Sequence, residues 1–429
     1  MKAGFAEIDI TPPAGTRKIG WLIHLVGEKI IDRLFARAAV IESGGERIAF
    51  VAADVLSLRW REVSEIRRRI EQQYRFPGGR IMVSATHNHA GPAVLTVGDA
   101  KQEPAYTEAF IQKAVQVFGQ ALENLEEAEI GLNSTFEFRV AHNRRVRMRS
   151  GIVVCHGTFR TADALCLEGV TDPEVAVLAA RRKSGRLLGV LVNFACHPTH
   201  HGGGNIVTAG FPGVLAQAMK KRGCPVTLFV NGAQGNMHTA NPAANGAGCS
   251  MEEAGRLLAE DAGCALRKMK YRKRLKLSCA CRTVKLPYRK ATKDEINGTV
   301  KGAQRFVDPR VYDRTMPGLL AKIKAKKHQW AEVQAFGLDE YAFVSLPGEV
   351  FVEIGLRIKE GAYPAHALVA GLANGMVGYV PHREAYARGG YETTFTYSSK
   401  LAPEAGEILA DTAIALVRKV ARTRQKPKG

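Results

Sequence analysis

Leu187-Leu188-Gly189-Val190-Leu191-Val192-Asn193-Phe194-Ala195-Cys196-His197-Pro198 is the stretch on which the fold turns. An apolar, β-branched run of this length reads as a buried strand, and a histidine leaves its end. Gly202-Gly203-Gly204 follows, suiting a place where backbone must approach closely. The same grammar recurs along the chain. Ala36–Ile41, Ile48–Leu56, Arg80–Ala85 and Val226–Asn231 read as strands. Arg59–Tyr74 and Pro104–Leu125 have helical spacing with charged outer faces. Ser250-Met251-Glu252-Glu253 predicts a capping box opening a helix to about Met269. Pro403–Val420 predicts another amphipathic helix, with Leu409, Leu416 and Val420 on one stripe.

Strands alternating with helices specify an α/β chain with central mixed sheets covered by helices. No Ser/Gly/Pro linker divides the 429 residues, so one large domain is expected over 1–429, with a smaller lobe around 272–330 and a basic tail at 420–429. No period of 20–50 residues is present, which excludes solenoids and propellers. No stretch is long and apolar enough to span a membrane, and the N-terminus shows no secretory h-region. Eight cysteines without a CxxC pair fit a reducing compartment, so a cytoplasmic location is expected.

Chemistry-bearing residues gather just past strand ends, where open α/β sheets hold ligands. Ser84-Ala85-Thr86-His87-Asn88-His89-Ala90-Gly91-Pro92 places two histidines at i and i+2. In extended backbone these share a face, so they can give two imidazoles to one metal, or one to a metal and one to substrate. Gly91-Pro92 is expected to end that strand. His197 is a third imidazole; His200 and His201 read as ordinary loop histidines. Asn231-Gly232-Ala233-Gln234-Gly235 either exposes backbone N–H groups to a developing negative charge or is a plain tight turn. Glu349, in Ser345-Leu346-Pro347-Gly348-Glu349, sits at a strand-to-helix junction, where it serves either a site or the helix dipole. Tyr379 and Tyr391, flanked by glycines, are loop packing or site residues. Three imidazoles and a carboxylate are a ligand set for a catalytic zinc with an open position, hence for metal-assisted hydrolysis.

Together the motifs resemble the neutral/alkaline (non-lysosomal) ceramidase family. The resemblance rests on Ala3-Gly4-Phe5-Ala6-Glu7-Ile8-Asp9-Ile10-Thr11-Pro12-Pro13-Ala14-Gly15, Leu34-Phe35-Ala36-Arg37-Ala38, residues 84–92, Asn143-Arg144, His197-Pro198 and Pro347-Gly348-Glu349. Tyr379 and Tyr391, twelve residues apart, complete it. It implies a zinc amidohydrolase: His87, His197, Glu349 and Tyr379 as Zn2+ ligands, His89 beside a metal-bound water, Arg144 and Tyr391 at the carbonyl or oxyanion. The implied substrate is a lipid-like N-acyl compound such as ceramide, with a lactonase, esterase or soluble-substrate amidase as the alternative. The sequence departs from the family pattern in three places. His238, counted with His89, Arg144 and Tyr391 among the candidate catalytic residues, stands where the family has a serine, the loop 208–213 lacks the acidic residue often found there, and no immunoglobulin-like segment is expected after the last helix.

The charge balance is the remaining feature: 61 Lys+Arg against 41 Asp+Glu, net +20. Eleven Lys/Arg and no acid fall within 267–290, and Arg139–Arg149 adds a second run. A nucleic-acid-binding protein is the reading of another class, but no nucleic-acid motif accompanies the charge. An anionic substrate or anionic lipid surface meeting the 267–290 run is the other possibility.

Overall fold

The computed structural model describes residues 1–421; the tail from Arg422 onward, expected to be a basic extension, lies outside the described residues. Strands β1 (Lys2–Asp9), β2 (Phe35–Ser43), β3 (Glu46–Ala53) and β4 (Ile81–Ala85) form a first sheet. The first three are antiparallel neighbours and β4 joins β3 in parallel, through helix α1 (Trp60–Tyr74). Helix α2 (Pro104–Glu123) packs beside α1 on the same sheet.

The second sheet repeats the pattern. Strands β5 (Glu129–Phe136), β6 (Glu174–Arg181) and β7 (Leu187–Phe194) are antiparallel, and β8 (Thr227–Asn231) runs parallel to β7 after helix α3 (Gly210–Lys221). Helix α4 (Met251–Arg267) covers the sheet with α3. In the third sheet, β9 (Leu277–Pro287), β10 (His328–Leu338) and β11 (Tyr341–Leu346) are antiparallel. Strand β12 (His366–Gly371) joins β11 in parallel after helix α5 (Val352–Ala362), and α6 (Ala405–Val420) lies against the sheet.

The three sheets share one internal core. Phe50 of β3, Met82 of β4, Leu178 of β6, Leu191 of β7, Phe336 of β10 and Phe343 of β11 are all buried in it. Phe50 meets Phe336 and Phe343 edge-on, at ring separations of 5.4 and 5.1 Å. Each sheet buries its other face under its own helices, which is why the strands read as continuous apolar runs and not as alternating ones. Truncating a ring such as Phe50 to alanine costs about 3–5 kcal/mol in a core of this kind.

The expected strands and helices appear within a residue or two of their predicted bounds, except that the strand expected to run to Leu56 ends at Ala53. Ser250 caps α4 by accepting from the Glu253 amide at 3.1 Å. Within the 272–330 segment, β9 is an edge strand of the third sheet, and 293–326 carries two helices, Lys293–Asn297 and Pro309–Lys326, inserted before β10. The basic run is partly neutralised by acids and carbonyls of the chain itself. Arg272 pairs with Asp339 and Glu340, and Arg289 pairs with Glu295 and donates to the Thr393 and Ser399 carbonyls. Lys273, Arg274 and Lys276 remain exposed. Among the described residues no helix is long and apolar enough to cross a membrane. All eight cysteines are free thiols.

Candidate active site

The ends of the parallel strand pairs from all three sheets deliver the site. His87 and His89 follow β4, His197 follows β7, and Glu349 follows β11. Nitrogens of His87, His89 and His197 lie within 4.8 Å of one another. The Glu349 Oε2 atom is 3.3 Å from His87 Nε2 and 3.1 Å from His197 Nε2, and His89 Nε2 is 3.1 Å from His87 Nε2.

Backbone carbonyls fix how these rings point. Nδ1 of His87 faces Leu56 O at 2.9 Å, Nδ1 of His89 faces Gly20 O at 2.7 Å, and Nδ1 of His197 faces Gln234 O and Met237 O at 2.8 and 2.9 Å. A carbonyl only accepts, so each Nδ1 carries a proton and each Nε2 turns a lone pair inward. Four electron-rich atoms aimed at one place repel unless a cation, metal or proton, stands among them. Tying the outer nitrogen of each imidazole is also how proteins orient histidine ligands. The donor set therefore fits a divalent metal ion. Burial reinforces the neutral rings: His197 is pushed down to about 4 by burial and then by Arg144, and His89 well below its ordinary range by burial and its two neighbours. Glu349 is held well below the usual carboxylate range: burial opposes this, but a proton held with His87 and His197 outweighs it, the same positive charge that the cluster requires.

The expectation that extended backbone aligns His87 and His89 is corrected. β4 ends at Ala85, and His87 has φ 71°, in the left-handed region that few residues other than glycine occupy. The turn, not strand alternation, brings the rings to 4.6 Å. Gly91-Pro92 likewise does not terminate that strand; it pairs with Lys18 and Ile19.

Beside the cluster, Arg144 is buried and almost fully committed. Its Nε donates to Glu392 at 2.9 Å, and Nη2 donates to Gly235 O at 2.9 Å and to the Tyr379 hydroxyl at 3.2 Å. Its Nη1 has no acceptor among the described residues. Tyr379 pairs in register with Glu349 across a short parallel bridge, so the two residues lie side by side. Tyr391 packs edge-on to Tyr379 at 5.7 Å, and its hydroxyl has no partner among the described residues. Burial raises the phenols of both tyrosines.

The glycine loop after β8 serves packing. Gly232 and Gly235 spend their N–H groups on Phe194 O and Val350 O, so they do not line an oxyanion hole. A Cβ on Gly235 would stand 2.4 Å from Glu349 O, so only glycine lets this loop lie against the carboxylate's own backbone.

His238 stands apart from the imidazole group. Its Nδ1 accepts from the Ala240 amide at 2.8 Å, and its Nε2 is 2.6 Å from Thr199 Oγ1. His200 contacts Cys249 O, and His201 is exposed. Sequence reasoning missed Glu392, Arg145, His156 and Phe306. Glu392, fully buried, pairs with both Arg144 and Arg145, and Arg145 also pairs with Glu168. The adjacent arginines in the otherwise ordinary 139–149 run were the available signal, since two neighbouring guanidiniums held inside a protein demand buried acids.

The fold and the site define a mixed α/β protein with a buried imidazole–carboxylate cluster able to hold a metal. Residues 1–308 match the model of the neutral/alkaline non-lysosomal ceramidase N-terminal region, and the chain belongs to that family. Neutral ceramidases of Drosophila melanogaster and Drosophila pseudoobscura pseudoobscura are each 30% identical over 154 residues, which is 33% of this chain but only 22% of theirs. Among solved structures, a ceramidase complexed with C2 superposes with TM-score 0.75 at 18% identity, covering 99% of this chain and 76% of that one. The neutral ceramidase of Pseudomonas aeruginosa gives TM-score 0.72 at 19% identity, covering 100% and 76%. At these identities the two structures establish the shared fold.

Proposed function

We propose that the protein is a zinc-dependent amidohydrolase that cleaves the amide of an N-acyl, ceramide-like substrate, acting as one catalytic unit. The convergence of three imidazoles and Glu349 on one point carries this reading. His87, His197 and Glu349, with Tyr379 alongside, would hold the ion. Bound there, it supplies Lewis acidity, lowering the pKa of a water and polarising a carbonyl.

The chain's own residues do the rest. His89, its Nδ1 held by Gly20 O, keeps its Nε2 lone pair available and serves as the base that takes a proton from the attacking water. Arg144 Nη1 and the Tyr391 hydroxyl, both without acceptors among the described residues, donate to the oxygen that becomes negative. Glu392 and Gly235 O lock the guanidinium so that this donation needs no reorganisation.

Dialysis against a chelator with metal analysis, followed by assay on N-acyl amides, esters and lactones, tests the proposal. Activity on N-acyl amides should vanish with the metal and return with zinc. Full activity after complete metal removal ends the idea, and turnover confined to esters or lactones moves the substrate assignment to that class.

A further inference from the structure

The hydrogen-bond logic around His238 singles out a residue that the motif-level reading passes over. A backbone amide can only donate, so the Ala240 N–H at 2.8 Å makes Nδ1 of His238 an unprotonated acceptor. The proton of the neutral ring is therefore on Nε2, where it donates to Thr199 Oγ1 at 2.6 Å. Thr199 thus spends its oxygen as an acceptor, and its own hydroxyl hydrogen has no acceptor among the described residues. The residue is only partly buried.

Its position relates it to the cluster. Thr199 lies two residues beyond His197, so the two Cα atoms are no more than about 7 Å apart. His197 and His238 are joined by a parallel backbone bridge. From His238 a line of rings runs back toward the metal ligands. His156 is edge-on at 4.6 Å, then Phe306 at 6.0 Å, Tyr391 at 4.8 Å and Tyr379 at 5.7 Å. Phe306 is 43% exposed, so this wall faces open space. One end of it offers a polarised hydroxyl donor, and its middle offers apolar ring surface.

We propose that Thr199, oriented by His238, is a substrate-recognition hydroxyl that donates to an alcohol oxygen near the scissile amide, selecting N-acyl amino alcohols over N-acyl alkylamines. This deepens the amidohydrolase reading and rests on it. A site built to hydrogen-bond an alcohol discriminates against the analogue that lacks it, because a hydroxyl that the bound substrate covers is then left unpaired.

The test compares an N-acyl ethanolamine with the matching N-acyl ethylamine on zinc-loaded wild-type protein, Thr199→Val and Thr199→Ser. Wild type should prefer the ethanolamide by roughly tenfold to a hundredfold in kcat/KM. Thr199→Val should bring the ratio to about one, mainly through KM, with zinc content retained, and Thr199→Ser should restore the preference. An unchanged preference in Thr199→Val, or an equal loss on both substrates, overturns the assignment. Calorimetric binding of the two amides to the same three proteins separates the two ideas. If wild type hydrolyses neither amide, the amidohydrolase reading fails. A binding preference abolished only in Thr199→Val would then still uphold Thr199, and the absence of any preference would overturn it.

Discussion

Two histidine clusters lie near each other in this molecule, and their hydrogen bonds give them opposite capacities. In His87, His89 and His197 the Nδ1 atoms are all tied to backbone carbonyls, leaving three Nε2 lone pairs directed at Glu349 and at one another. In His238 both nitrogens are consumed, one by an amide N–H and one by a threonine. The first arrangement demands a cation; the second is complete without one. Residue type therefore does not decide which histidines are able to hold a metal. The polarity of the group on the far side of each ring does, because it fixes the tautomer.

The sharpest way to break this contrast is to remove one ring from each cluster. His87→Ala and His197→Ala should each lose bound zinc and at least about a thousandfold in kcat/KM while keeping the native circular dichroism. His156→Ala, in the second cluster, should keep its zinc. Stoichiometric metal in either of the first two proteins, or metal loss in the third, would undo the distinction.

A smaller effect sharpens the boundary between metal holding and carbonyl binding. Glu392→Gln removes the charge that locks Arg144 and Arg145 without touching the imidazoles. We expect a tenfold to hundredfold fall in kcat/KM, on the order of 1–3 kcal/mol of lost positioning, with zinc content unchanged. Parallel loss of metal and rate would show instead that the arginine pair supports the metal site. The smallest effect is on pH-dependent stability. Burial acts to raise Glu392, but Arg145 and Arg144 bring it down to about 2, below its unfolded value. Its contribution is therefore complete above about pH 4.5 and is lost as pH falls toward 2. Urea midpoints between pH 6 and 3 should decline less steeply for Glu392→Gln than for wild type; identical slopes would exclude the buried pair as a source of acid lability.

Much of the architecture was legible because strands buried on both faces write themselves as apolar runs, as in Leu187–Phe194, and helices with one wet face show their period, as in Trp60–Tyr74. The site was legible as types at strand ends: His87, His197 and Glu349 each follow one. Other features carried no local mark. The threefold use of an antiparallel, antiparallel, parallel sheet unit escaped because its units begin as far apart as Lys2, Glu129 and Leu277 and its side chains differ. The ion pair of Arg144 and Glu392 spans 248 positions, so no window of sequence contains both.

The sequence by itself determined the α/β class, the positions of the strands and the histidines and acid at their ends, because burial and periodicity are local properties of the chain. Only the tertiary structure decided which of those groups face one another. The carbonyls behind His87, His89 and His197, Thr199 beside His238 and Glu392 under Arg144 join residues far apart in the chain, whereas the left-handed turn at His87 and the Ala240 amide behind His238 are local but carry no mark in the residue types. Tautomer, charge and free lone pair follow from those contacts, and the chemistry follows from them.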